Sequence, residues 1–472
     1  MKPLRIILII GALSALLSCQ DDWKFSADSR YALAFSADTV KMDTVFTGIA
    51  SASAGFMVYN TNDVGLRFDA VMGGGAASAF RMNLDGEGGA MITGLEIPAG
   101  DSLFCFVSVN IPSTDDPALL HAFDSIRFVM ESGNVQFVRL SAYGQNAIRL
   151  KGEQIGNDTV FTARLPYIIY DSLSIAQGAT LTVRPGARLY FHRGAVLDVS
   201  GRILAQGTAD SMIVMRGDRL DMMLEGLPYD LLSGEWGGVV LRSNSYGNVL
   251  SYCDIHGGEW GVKADSAGME NTKLSISSSI IHNVSGTCLE ATGCRVDVAN
   301  SQLTNGGQGC VDLAGGSSEF VFCTIAAFSI WNLADQAVHL SDYRGGGRFP
   351  LSGSSFRNCI ITGRHASEFI VDVADSIRKT AAYSVSNSLL MVRDTADVRF
   401  SNVVFENSRS KAYGATNFVD RTLRDYSSTF ALDSLSPARG IADSLSLAWP
   451  VDLNGTPRPP SGADAGCYQY KP

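Results

Sequence analysis

Between Val249 and Ile325, small, polar and aliphatic residues recur in a short phrase that returns every 22 to 26 residues. It reads Tyr252-Cys253-Asp254-Ile255, Ser278-Ser279-Ile280-Ile281, Asn300-Ser301-Gln302-Leu303 and Phe322-Cys323-Thr324-Ile325. Positions two apart on an extended strand share a face. One inward column is therefore small (Cys253, Ser279, Ser301, Cys323) and the next is aliphatic (Ile255, Ile281, Leu303, Ile325). A unit this short cannot bury a hydrophobic face alone, so the period predicts stacked β coils. The beat continues at Asn358-Cys359-Ile360-Ile361 and Asn387-Ser388-Leu389-Leu390, and fades at Asn402-Val403-Val404-Phe405. About eight to ten coils between residues 175 and 405, spaced ~4.8 Å, make a rod of roughly 40–50 Å. The recurring asparagines fit coil corners, where an amide can bond its counterparts above and below.

Upstream the pattern is different. Residues 31–148 hold about seven short alternating segments, among them Phe56–Tyr59, Leu103–Val109 and Val135–Leu140, divided by turn clusters such as Asn60-Thr61-Asn62-Asp63. Short strands at that density predict an immunoglobulin-like sandwich. The fold class is thus all-β: an immunoglobulin-like sandwich at 31–148, then a right-handed parallel β-helix at 149–430. Within the helix, 218–235 and 329–352 exceed one coil and must leave the stack as loops.

Family resemblance sharpens this division. The phrases DTVFTGIAS (43–51), VYNTNDVGLRFDAV (58–71), FRMNLDG (80–86), DSLFCFVSVNIP (101–112) and DSIRFVMESGNVQFVRLSAYGQNA (124–147) resemble the first domain of a family of Bacteroidota surface lipoproteins. In those proteins a right-handed, pectin-lyase-like β-helix follows. The opening at 178–208 and Gly234-Glu235-Trp236-Gly237-Gly238-Val239 are similar to the same family. Residues 431–472 resemble the motif that closes many bacterial β-helices, with Arg439, Cys467 and Gln469 as departures; the resemblance implies a cap over the last coil.

The first 18 residues place Lys2 and Arg5 before an apolar run, the layout of a signal peptide. Leu16-Leu17-Ser18-Cys19 resembles a lipobox, which implies lipidation of Cys19 and a membrane anchor without a spanning helix. Residues 19–30 then form a polar tether, and Gln20-Asp21-Asp22 resembles the signal that sends such lipoproteins to the outer face of the outer membrane.

Charge removes one class of partner. The net charge is −10, and loss of Lys2 and Arg5 leaves 37 − 2 = 35 basic against 47 acidic residues, or −12. No general basic footprint for nucleic acid exists. Eight cysteines remain after Cys19. Their ladder places side chains parallel rather than converging, which favours free buried thiols over disulfides. No CxxC spacing suggests structural zinc. His256 and His282 occupy the same place on successive coils and can share a ligand or form a corner ladder, with no carboxylate column beside them.

Catalytic motifs are missing. Polygalacturonase-type enzymes need paired carboxylates with room for water, but the coil region has no Asp-Asp, Asn-Thr-Asp or Arg-Ile-Lys. Asp254, Asp265, Asp297 and Asp312 occupy different coil positions, so calcium binding stays open without a motif, and no other cofactor is indicated. The candidate ligand-binding set is Trp331, Tyr343, Arg344 and Arg348 in the second loop, where rings and guanidinium forks suit a sugar and a carboxylate or sulfate. The reading is a surface scaffold that binds an extended glycan or an envelope protein. The alternatives are a polysaccharide lyase or hydrolase, and a purely structural adhesin or spacer.

Overall fold

The computed structural model describes residues 24–472 except 225, 330–335, 375–379, 408–413, 415 and 421–428. Cys19 and Trp331 lie outside the described residues. The chain divides between Asn146 and Ala147 into two compact units.

The first unit is a sandwich of two five-stranded sheets. One sheet runs in the order Ala34–Phe35, Ala54–Tyr59, Ser102–Val109, Phe80–Leu84, Glu87–Gly89; the other runs Thr39–Phe46, Val135–Gln145, Leu120–Met130, Leu66–Met72, Met91–Ile97. Pairing is antiparallel except where Val135–Gln145 lies parallel to Thr39–Phe46. Strict alternation in Leu66–Met72 sends Leu66, Phe68, Ala70 and Met72 inward, as period two requires. Phe56 and Phe128 meet edge to face at its centre, 6.2 Å between ring centroids.

The second unit is the parallel β-helix that the repeat predicts. Successive coils contribute strands to three parallel ladders, of which the second ends at Phe369–Asp372 among the described residues while the first and third run on to Val404–Phe405 and Phe400–Ser401. The first ladder includes Ile213–Gly217, Cys253–His256, Ile280–Val284, Gln302–Gly306, Thr324–Ala327 and Ile360–Gly363. The second includes Val262–Ala264, Leu289–Thr292, Val311–Ala314, Val338–Ser341 and Phe369–Asp372. The third includes Asn248–Ser251, Leu274–Ser277, Arg295–Ala299, Gly316–Val321 and Leu351–Arg357. The small and aliphatic columns point inward as expected, with Cys253, Ser279, Ser301, Cys323, Ile255, Ile281, Leu303 and Ile325 all buried. All eight cysteines of the described residues are buried and free.

The corner before the first ladder is made by backbone conformation. Tyr252, Ser278, Asn300, Phe322, Asn358, Asn387 and Asn402 all have φ between 47° and 57°. Asparagine tolerates this left-handed region better than most residues, which explains its recurrence there. Only part of the expected amide ladder forms: Asn300 Nδ2 donates to Ser278 Oγ at 3.0 Å.

The C-terminal segment, expected over the last coil, lies against the flank of the first ladder. Outward-facing Ala326, Ile360 and Leu389 form one apolar cluster with Leu453, Ala465, Cys467 and Tyr468, while neighbouring Ile325, Ile361 and Leu390 face the helix interior. Polar contacts fix the segment as well: Cys467 N–H donates to Thr324 Oγ1 at 3.1 Å, Tyr468 hydroxyl to Gln302 Oε1 at 2.8 Å, and Arg458 Nη2 to Asn300 Oδ1 at 2.7 Å, while Asp443 accepts from Asn358 Nδ2 at 2.9 Å. An apolar outward column needs a cover as much as an open edge does.

Candidate functional site

Two clusters of chemically capable side chains stand on the outer surface of the β-helix. The first begins with register: His256 lies opposite His282 on adjacent strands, their ring centroids 4.7 Å apart. Asp254 precedes His256 by two residues and so projects from the same face. The first long loop supplies the rest. Met222–Leu224 pairs with Leu227–Pro228, and the 3-10 turn Tyr229–Leu231 brings Asp230 over His256.

The resulting contacts are short and directional. His256 Nδ1 is 2.9 Å from Asp254 Oδ1, and His256 Nε2 is 2.7 Å from Asp230 Oδ1. His282 Nε2 is 3.1 Å from the same Asp254 Oδ1. Arg216 forms an ion pair with Asp230. Behind the cluster, Trp236 Nε1 donates to the His256 carbonyl at 2.8 Å, its ring stacked on Phe191. That bond fixes the backbone of His256.

Electrostatics follow from this geometry. Burial works against the His256 imidazolium, but Asp254 and Asp230 outweigh it and raise its pKa to about 9. Asp254 is opposed by burial in the same way, yet the two imidazoles hold it well below the ordinary carboxylate range. Burial also opposes the Asp230 carboxylate, and His256 with Arg216 lowers its pKa. With both carboxylates ionised, both ring nitrogens of His256 donate.

No carboxylate column runs beside the two histidines, as the sequence suggested, but two single carboxylates, Asp254 and Asp230, do meet them. Asp254 was visible in the repeat but was weighed only against other aspartates, which do stand apart: Asp254 is on the first ladder, Asp312 on the second and Asp297 on the third. Asp230 comes from a loop whose landing place no periodicity encodes.

The second cluster contains three of the four residues proposed from the sequence. Tyr343–Arg344 pairs with Gly347–Arg348 in a tight hairpin, turned by Gly345 and Gly346 at φ +55° and +80°. The hairpin brings Tyr343, Arg344 and Arg348 together, but the arginines are already engaged. Arg344 Nη2 lies 2.6 Å from Asp312 Oδ2 and its Nη1 3.4 Å from Glu290 Oε1. Arg348 Nη1 lies 2.6 Å from Asp342 Oδ2, and the Tyr343 hydroxyl bonds Asp372.

Arg344 leans over a row that the sequence did not single out. Lys263, Glu290, Asp312 and His339 are register partners on four consecutive strands of the second ladder. Lys263 Nζ sits 3.7 Å from the Trp260 ring centroid and 3.5 Å from Glu290 Oε1. His339 Nδ1 is 2.9 Å from Asp312 Oδ1. The Asp312 hydrogen bond raises the pKa of His339 against the effect of burial. Burial works against the Asp312 carboxylate, but His339 and Arg344 lower its pKa. The row therefore compensates its own charge, with Trp260 near one end and the half-exposed Tyr343 near the other.

No protein-family model matches the chain, and no curated protein matches it. Among solved structures, the catalytic unit of a GH87 α-1,3-glucanase from Streptomyces thermodiastaticus is similar at 11% identity and a TM-score of 0.28, over 74% of this chain and 75% of the glucanase. A family 123 glycoside hydrolase from Clostridium perfringens is similar at 10% identity and a TM-score of 0.20, over 27% of this chain and 30% of the hydrolase. The PapD-like domain 7 of human CEP192 is similar at 9% identity and a TM-score of 0.17, over 24% of this chain and 84% of the domain. These likenesses leave the chemistry of this chain to its own residues.

Proposed function

We propose that the protein is a lipid-anchored surface scaffold that binds an extended neutral glycan along the outer row of the second ladder. One observation carries the reading: Lys263, Glu290, Asp312 and His339 stand in register on successive coils, and Arg344 spends its charge on two of them. A row of two carboxylate acceptors flanked by the donors Lys263 and His339, with Arg344 over the pair, suits hydroxyl groups repeated along a chain, and the Trp260 and Tyr343 rings offer faces for apolar sugar surfaces. A polyanion would meet Glu290 and Asp312 with no uncompensated arginine beside them, so the carboxylate or sulfate ligand suggested by sequence is the weaker fit. The anchor is supported by the lipobox-like Leu16-Leu17-Ser18-Cys19, and an outward-facing position on the outer membrane by the resemblance of Gln20-Asp21-Asp22 to a surface-export signal. An envelope protein is the competing occupant of this face.

The test uses the mature chain in affinity electrophoresis through neutral and anionic polysaccharides. Retardation by a neutral polysaccharide, reduced at least tenfold in a Trp260→Ala/Tyr343→Ala variant that melts like wild type, supports the reading. Retardation by anionic polysaccharides alone overturns it, and release of new reducing ends makes the protein an enzyme instead. For the anchor, Cys19→Ala should abolish labelling by a radiolabelled fatty acid and release the protein from membranes; labelling that persists in this variant would overturn lipidation.

A further inference from the structure

The first cluster carries an inference independent of glycan binding, since it stands on a different ladder. The geometry points to a binding site for a borderline first-row divalent cation of the zinc class, held by Asp254, His256 and His282. One atom from each of these residues lies within 4.8 Å of the others. Asp254 Oδ1 already stands between the two imidazoles, 2.9 Å from His256 Nδ1 and 3.1 Å from His282 Nε2.

Metal–nitrogen and metal–oxygen bonds of about 2.1 Å place tetrahedral ligand atoms about 3.4 Å apart. The two contacts to Asp254 need to open by about 0.3–0.5 Å to reach that spacing. The imidazole nitrogens, within 4.8 Å of one another, close by up to about 1.4 Å through ring rotation on a fixed backbone. His282 and Asp254 are 22% and 27% exposed, which leaves both side chains room to turn and a face open for a fourth ligand. Two imidazoles with one carboxylate form a donor set for zinc, iron(II), cobalt(II) or nickel(II) rather than calcium or magnesium.

Two further features are those of a built site. Both histidines are held by strand register rather than by loops, so the separation of their backbones is set by the coil spacing and only the rings turn. His256 also has an orienting partner on its far nitrogen, where Nε2 faces Asp230 Oδ1 at 2.7 Å. A carboxylate on the outer nitrogen of a ligating imidazole fixes its tautomer and ring plane and leaves the other nitrogen to bind metal. Asp230 is thus a positioning residue, and its own place is set by Arg216.

The experiment loads the chelator-stripped mature chain with Co2+ and then displaces it with Zn2+, following the visible ligand-field spectrum and the bound metal per chain. The expected result is one equivalent, with the band intensity of a four- or five-coordinate site, displaced stoichiometrically by Zn2+. His282→Ala should abolish the spectrum. Asp230→Asn should weaken Zn2+ about 10- to 100-fold while keeping the same spectrum, because it changes only the orienting partner. Less than a tenth of an equivalent in the wild type, an octahedral aquo-type spectrum, or a His282→Ala variant that binds as wild type would each overturn the site. Glycan retardation of the stripped chain reads the other proposal separately, because Trp260 and Tyr343 lie outside this cluster.

Discussion

Arg458 reaches Asn300 across 158 residues of chain, its Nη2 2.7 Å from the amide oxygen. The guanidinium is buried, lies 4.2 Å from the centroid of the Phe322 ring and donates to the carbonyls of Trp449, Val451 and Gly466. Burial lowers its pKa to about 10, with Cys467 and Asp452 acting the other way. It stitches the C-terminal segment to two coil corners, Asn300 and Phe322. Arg458→Lys keeps the charge and loses the planar fork, and should cost about 2–4 kcal/mol. The urea midpoint should fall at unchanged slope, and residues 436–470 should become open to limited proteolysis. A midpoint equal to wild type would mean that the apolar cluster alone secures the segment.

Inside the stack, the small column carries hydrogen bonds as well as volume. Ser279 Oγ accepts from Cys253 N–H at 3.0 Å and donates to Ser277 O at 2.9 Å, and Ser388 Oγ accepts from Cys359 N–H at 2.9 Å. Ser279→Ala leaves a buried N–H without its acceptor and should cost about 1–3 kcal/mol. The exposed Ser384→Ala on the third ladder should stay within about 0.5 kcal/mol. Equal losses in chemical denaturation would contradict a bonding role for the column.

The legibility of the chain follows the reach of each signal. The inward columns could be read because period two and a coil-length repeat both act on neighbouring residues: Cys253 and Ile255 need only each other and the next coil. The corners were half legible. Asn300, Asn358, Asn387 and Asn402 marked them, but Tyr252, Ser278 and Phe322 take the same left-handed backbone without an asparagine to announce it. The outward column turns from Asp254 and Gln302 to Ile360 and Leu389, an apolar change that went unread, so the C-terminal segment was expected over the last coil and not on this flank. What was not legible was long-range: that Asp230 lands on His256, that Arg344 falls between Glu290 and Asp312, and that Arg458 returns to Asn300. Each joins segments whose separation no local period measures, and each is decided by where a loop lands on the stack.

Backbone conformation gives a prediction free of side-chain contacts. Asn387 holds φ 49° at the corner before Ser388. A residue with a Cβ and no local amide pays about 1–2 kcal/mol for the left-handed region. Asn387→Val should therefore destabilise by at least about 1 kcal/mol, and Asn387→Gly by only a few tenths. The two melting temperatures, compared directly, decide the point; equal losses would show that the amide and not the backbone matters.

Glu368 makes stability depend on pH. Its side chain is fully buried, with Oε2 accepting from Ala337 N–H at 2.8 Å and Oε1 from His365 N–H at 2.5 Å. Burial pushes its pKa up to about 8 although both N–H groups favour the carboxylate, and nearby Glu406 adds to the rise. The folded chain thus keeps a proton that the unfolded chain releases in the ordinary glutamate range. Between about pH 4.5 and pH 8 the folded state binds more protons, so this group makes stability fall as pH rises. Its cost is absent below that window and complete above it, on the order of a few kcal/mol. Glu368→Gln cannot ionise, and its difference from wild type should shift in its favour steadily from pH 5 to pH 8 even though its NH2 group faces one of the two backbone donors. Denaturation at stepped pH measures that difference, and a constant offset between the two proteins across the window would show that Glu368 is ionised in the folded chain throughout.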